Sequence, residues 1–218
     1  MATEETHAVA VPAGAGERPG HTAAQPVSGT SGAADRVARS SDGTADFSDG
    51  TGRRVIEQRG RYVDELVAGA VYAHRPGRTL TEADNVLFTT LTMNTQALHL
   101  DAAWASRQPF GQRLINSMMT LAVMVGQSVS QLTQGTIVAQ LGLTDVAFPH
   151  PLFQGDTLYT ETEIVEVRSS ASRPGQGIVK MMHIGRNQHG EVVARASRSV
   201  LMWSREGHAA QEKEATDE

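Results

Sequence analysis

Between Leu114 and Leu132 the chain sets Leu114, Ile115, Met118, Met119, Leu121, Ala122, Val123, Met124, Val125, Val129 and Leu132. Wound at 3.6 residues per turn, these side chains surround the axis on nearly every side, and a helix apolar all round has to be buried. Everything else the chain builds must cover this helix.

The cover is written after Gly135. Four runs rich in Val, Ile, Thr and Tyr follow, at residues 136–148, 157–169, 177–188 and 191–203. Turn chemistry separates them at Pro149-His150-Pro151, Gln154-Gly155-Asp156, Arg173 to Gly177 and Gln188-His189-Gly190, and the last two runs read as a hairpin. In the final run Val192, Ala194, Ala196, Val200 and Met202 take one face, and Arg195, Ser197, Ser199 and Trp203 the other. Helices first and consecutive antiparallel strands afterwards make an α+β domain whose curled sheet wraps the long apolar helix. An open sheet leaves edges, and pairing two edges across a twofold axis is the usual remedy, so a homodimer or a higher even-numbered oligomer is expected.

The first 60 residues are built from Ala, Gly, Ser, Thr, Pro and scattered charges, with no apolar run. Such a segment cannot offset its chain entropy by burial, so residues 1–60 are expected to be disordered, without a signal peptide. The charged residues 206–218 are expected to form a flexible tail, which leaves 61–205 as the working domain. No stretch is long and apolar enough to span a membrane. A net charge of −5 argues against nucleic acid as a partner. The absence of cysteine removes disulfides, thiolate zinc sites and a cysteine nucleophile, and suits a reducing cytoplasm.

Ahead of the long helix, Tyr62 to His74 reads as an irregular lead-in to a short strand that Pro76-Gly77 stops. Thr81-Glu82-Ala83-Asp84 reads as a helix N-cap, with Ala83, Val86, Leu87 and Thr90 at helical spacing behind it. Residues 101–106 read as another short helix anchored by Trp104. Between these helices, Asn94 and His99 stand five residues apart in a turn that leads towards the buried helix. Polar groups aimed at a buried place are how a site is built. Taken alone, however, His99 is more often a structural histidine and Asn94 a turn residue. No His, Asp and Glu spacing suits zinc or iron, so no metal is expected.

The turn Asn94-Thr-Gln-Ala-Leu-His99-Leu-Asp101, the helix reached through Phe110, and Phe148-Pro-His-Pro-Leu-Phe-Gln-Gly-Asp-Thr-Leu158 together resemble a MaoC-like enoyl-CoA hydratase of the hotdog fold. The resemblance covers residues 68–203 and points to the mesaconyl-CoA hydratase or β-methylmalyl-CoA dehydratase type. It implies that His99 is the catalytic histidine, that Asn94 stands where the family has a catalytic Asp, and that Phe110 is the family's aromatic. It places Asn116-Ser117 at the family's His-Gly, which implies thioester and oxyanion binding there, and Gly126 at a small substrate-contacting helix position. Arg113 replaces a proline of the family, and is expected to clamp a second substrate carboxylate.

The chemistry explains the residue types. Adding water across the double bond of an enoyl thioester needs a proton acceptor for water, a donor to C2, and donors for the charge on the thioester oxygen. His99 can serve as acid or base near neutral pH, whereas an amide such as Asn94 can only orient. Asp101 is a candidate substitute carboxylate. Unpaired first-turn amides near Ser117 suit the oxyanion. The reading is therefore an acyl-CoA hydratase or dehydratase with no separate cofactor, CoA being part of the substrate. A hotdog thioesterase and a non-catalytic acyl-binding subunit are the alternatives.

Overall fold

The computed structural model describes residues 38–39, 44–48 and 51–217, all within the unit that runs from Asp35 to Glu218. Most of the segment expected to be disordered lies outside the described residues. Its described part is ordered into Ala38–Arg39 (β1), Thr44–Ser48 (β2) and Arg54–Gln58 (β3), an antiparallel three-stranded sheet in that order. The domain also begins earlier than Arg61. The Gly60 N–H donates to the Gln134 carbonyl at 2.6 Å, and a Cβ on Gly60 would lie 2.6 Å from the Leu132–Gln134 backbone, so only glycine fits.

A second sheet carries the core. Val71–Thr79 (β4), Ile137–Ala147 (β5), Thr157–Ser169 (β6), Gln176–Arg186 (β7) and Val192–Trp203 (β8) pair antiparallel in the order β4-β6-β7-β8-β5. The last four sit within two residues of where periodicity places them. The β7–β8 hairpin is closed by the Asn187 N–H on the Glu191 carbonyl at 3.0 Å, with Gly190 supplying a φ of +82°. Pro76-Gly77 does not stop β4: a register shift between His74 and Arg78 absorbs the pair, and pairing with β6 resumes at Arg78. An edge strand tolerates this because one of its sides has no ladder to break.

Glu82–Leu91 (α1), Ala97–Leu100 (α2), Ala102–Ala105 (α3) and Ser117–Leu132 (α4) precede β5, and α4 lies on the sheet. Thr81 and Asp84 form the expected capping box at the start of α1. The inner face of α1 is polar, however: Asn85 and Thr89 are buried, while Leu87 and Leu91 are 62% and 74% exposed. On α3 the fully buried residue is Ala105, not Trp104.

One apolar cluster joins Leu80, Ile115, Met119, Met124, Leu152 and Leu158 to Val193, Ala194 and Ala196. A second joins Leu132, Ile164, Val179, Met181, Val200 and Met202 to Val63 and Leu66. Each fully buried aliphatic side chain contributes about 1.5–3 kcal/mol, so this core outweighs any single polar contact. The long helix is nevertheless not enclosed. Met119, Thr120, Met124, Ser128 and Leu132 are buried, but Met118 is 52% exposed and Ala122, Gly126 and Ser130 follow it on the outer face. A single sheet covers one side of a helix, so the outer stripe is left for something else.

The expected flexible tail is instead a helix, Arg205–Asp217 (α5). Its first turns find partners that the charge pattern did not reveal. His208 stacks on Trp203 with ring centroids 5.7 Å apart, and its Nδ1 lies 3.2 Å from the Tyr62 hydroxyl. Glu65 binds both Arg59 and Arg205. Among the described residues no helix is long and apolar enough to cross a membrane.

Candidate active site

Asn85 assembles the site. From the buried face of α1 its amide nitrogen donates to the carbonyls of His99 and Leu114, both at 3.2 Å, and its oxygen accepts the Asn116 N–H at 2.8 Å. One side chain thereby ties α2 to the segment that enters α4. Thr89, one turn on, accepts from the Asn116 amide at 3.2 Å. Neither was singled out from sequence, because α1 also carries Glu82, Asp84 and Thr90 and its pattern does not mark which polar residues face inward.

His99 is the buried member of α2, 8% exposed. Its Nδ1 lies 3.0 Å from the Leu114 carbonyl oxygen. A carbonyl only accepts, so Nδ1 carries the proton and, in the neutral ring, Nε2 presents a lone pair. The same carbonyl takes Asn85, the Leu114 N–H donates to Leu98 at 3.1 Å, and the Ile115 N–H donates to Leu152 at 2.8 Å. The ring is thus held by a backbone segment that is itself held on three sides.

Asn116 caps α4, its oxygen accepting the Met118 N–H at 3.0 Å, and Thr120 begins the ladder on the Asn116 carbonyl. Asn116 also gives its own N–H to Asn85 and one amide N–H to Thr89. The Ser117 N–H has no hydrogen bond among the described residues. It stands at the positive end of a sixteen-residue helix, where an anion is favoured.

Asn94 sits beyond a left-handed residue, Met93, with φ of 53°. Its oxygen accepts the Gln96 N–H at 3.0 Å, which starts α2, and no hydrogen bond joins it to His99. Asp101 is likewise occupied, capping α3 through the Trp104 N–H at 2.8 Å. Phe110 is half-exposed and meets Phe153 edge-on, ring centroids 6.5 Å apart. Arg113, expected to clamp a substrate carboxylate, is instead paired with Glu82 of α1 and reaches the Leu100 carbonyl at 3.5 Å. Gly126 lies about two and a half turns down α4 on the outer face, and a Cβ built there meets nothing within 4 Å in this chain.

The arrangement can hold a proton at His99 Nδ1 and leaves the Ser117 N–H unpaired at the start of α4. Comparison with known proteins supplies the family. The chain is 28% identical over 151 residues to the β-methylmalyl-CoA dehydratase of Chloroflexus aurantiacus, covering 69% of this chain and 42% of that protein. It is 28% identical over 155 residues to a mesaconyl-CoA hydratase of Haloarcula marismortui, covering 71% and 43%. It therefore matches about two fifths of the length of these curated relatives. Among solved structures, a Mycobacterium tuberculosis protein described as a double hotdog fold superposes with a TM-score of 0.60 at 26% identity, over 66% of this chain and 44% of that one. The five-stranded sheet laid on α4 is a hotdog fold, and residues 65–187, which hold every part of the site, match the MaoC-like domain model: the chain belongs to the MaoC-like domain family.

Proposed function

We propose that this domain adds water to, and removes it from, C2–C3 of a short enoyl-CoA thioester, with His99 as the residue that moves the protons. The observation that carries the reading is the Leu114 carbonyl on His99 Nδ1 at 3.0 Å, which leaves Nε2 of the neutral ring to exchange protons. In the hydration direction Nε2 takes a proton from water as its oxygen bonds to C3. The C2–C3 π electrons move onto C2 and the thioester oxygen, where the Ser117 N–H and the α4 dipole stabilise the charge. Nε2–H then returns the proton to C2, leaving the 3-hydroxyacyl thioester and a neutral imidazole. Dehydration is the reverse. Asn94, whose oxygen is committed to Gln96, has amide N–H groups to orient the water.

The names of the relatives favour a dicarboxylic, mesaconyl-CoA-like acyl group as substrate. The test is to incubate the full chain with crotonyl-CoA and mesaconyl-CoA and follow the enoyl-thioester absorbance. A falling band without release of free thiol supports the hydratase. Thiol release points to a thioesterase, and no change with any thioester points to a non-catalytic subunit.

A further inference from the structure

A belt of polar side chains separates the two apolar clusters of the core. On the covered face of the sheet it runs from His74 on β4 through Thr162 on β6 and His183 on β7 to Arg198 on β8, all buried. His74 Nδ1 lies 2.9 Å from the Gln131 side-chain oxygen, His74 Nε2 lies 2.8 Å from Thr162 Oγ1, and that oxygen lies 2.7 Å from His183 Nδ1. The Gln131 oxygen only accepts. His74 Nδ1 therefore donates to it, Thr162 donates to His74 Nε2, and His183 Nδ1–H donates to Thr162. The chain of bonds ends at His183 Nε2, which is buried with no partner.

Arg198 follows in the ladder. It stands between Ala196 and Val200 on the core face, opposite Met181, and is 4% exposed. His183 pairs with Ala196, so Arg198 and His183 are diagonal neighbours, about 7 Å apart at Cβ. Nε and Nη1 of Arg198 are both buried without a hydrogen-bond partner, and no Asp or Glu among the described residues pairs with it. Burial, followed by the Arg198 charge and then His74, pushes the His183 imidazole down to about 3.

A guanidinium does not lose its proton, and an uncompensated charge in a core costs several kcal/mol. An apolar residue would serve packing better here, as the flanking positions do. We propose that Arg198, with His183, forms a buried site for a small monoanion of the carboxylate class on the core face of β7 and β8. The site is distinct from the one around His99: the apolar cluster containing Met119 and Met124 lies between them. Gln131, the helix residue that anchors the relay, is fourteen residues along α4 from Ser117, about 21 Å at 1.5 Å per residue, beyond a short acyl chain. The relay suits an anion. Turning the Gln131 amide over reverses all three hydrogen bonds and places a proton on His183 Nε2, adding a third donor without changing the net charge.

The experiment is thermal unfolding of the full chain and of Arg198→Met across a sodium acetate titration, at fixed ionic strength and pH. Acetate should raise the wild-type melting temperature saturably by a few degrees and leave Arg198→Met unmoved. Without acetate the variant should melt at or above the wild type, because an unpaired buried charge has been removed. Equal responses in both chains, or a variant that melts lower throughout, overturn the proposal. Should the variant not fold, calorimetric titration of acetate into the wild type decides, and absence of saturable binding overturns it. A wild type indifferent to acetate, with an Arg198→Met chain of reduced oligomeric mass, would assign the counter-charge to a second copy and equally overturn the small-anion site.

Discussion

Asn85 accepts the Asn116 N–H at 2.8 Å through the same carboxamide that donates to the carbonyls of His99 and Leu114. The helix that carries no catalytic group therefore sets the spacing between the imidazole and the start of α4. Asn85→Ala leaves one N–H and strips two carbonyls of a donor in a buried place. It should lower stability by about 3 kcal/mol and reduce kcat even where the variant remains folded. Denaturant melts and thioester turnover on the same preparation check both.

A second prediction concerns the latch between the start of the domain and its last helix. Burial acts to raise the Glu65 carboxyl, but the Arg59 guanidinium, the Tyr62 N–H and Arg205 outweigh it and hold the carboxyl below its ordinary value of 4.5. A group whose folded pKa is depressed contributes stability that is present above its unfolded value and lost as pH falls through the folded one. The melting temperature should therefore decline as pH drops below about 4.5, and Glu65→Gln should show less of that decline. A truncation beginning at Arg61 deletes Arg59 and Gly60 and should melt lower than one beginning at Thr51.

Much of this was readable. The strands from β5 to β8 were placed by their Val, Ile, Thr and Tyr content and by the Pro and Gly turns between them, and β7 and the first half of β6 alternate in burial as a period of two requires, but on β8 Ser197 is buried on the face expected to be wetter. Sequence placed His99 in a turn ahead of α4, whereas the structure winds Ala97–Leu100 into the short helix α2 around it. What sequence misplaced was set by contacts distant in the chain. α5 is polar along its length and gains its place from Tyr62, more than 140 residues earlier. The inner face of α1 is chosen by what Asn85 and Thr89 bond, not by hydrophobicity, which pointed to Val86 and Leu87. Arg198 interrupts an otherwise apolar alternation on β8, and alternation alone assigns no burial to an arginine.

Asn94 tests how much of the dyad is needed. An Asp at this position can accept the Gln96 N–H as the Asn does, so Asn94→Asp should leave α2 and the melting temperature nearly unchanged. It adds a proton acceptor and should keep or raise turnover of crotonyl-CoA. Turnover of a dicarboxylic thioester should fall relative to it, because two carboxylates brought close raise one another's pKa. Equal changes on both substrates would remove the dicarboxylic reading.

The outer stripe of α4 bears on assembly. Within one chain Gly126 faces open space, so Gly126→Met should stabilise an isolated chain slightly through helix propensity, by about 0.8 kcal/mol. If the stripe is covered by a second copy, the larger side chain should instead lower the mass seen by light scattering at micromolar concentration. Unchanged dimeric mass would place the contact elsewhere.

The central claim is that His99, held through Nδ1, moves the protons at Nε2. The most direct measurement is kcat of His99→Ala on the thioester the wild type turns over fastest, with circular dichroism on the same sample. The account predicts a loss on the order of a hundredfold or more with the fold retained. Turnover equal to the wild type would contradict it, and would make this MaoC-like domain's site something other than a histidine acid–base centre.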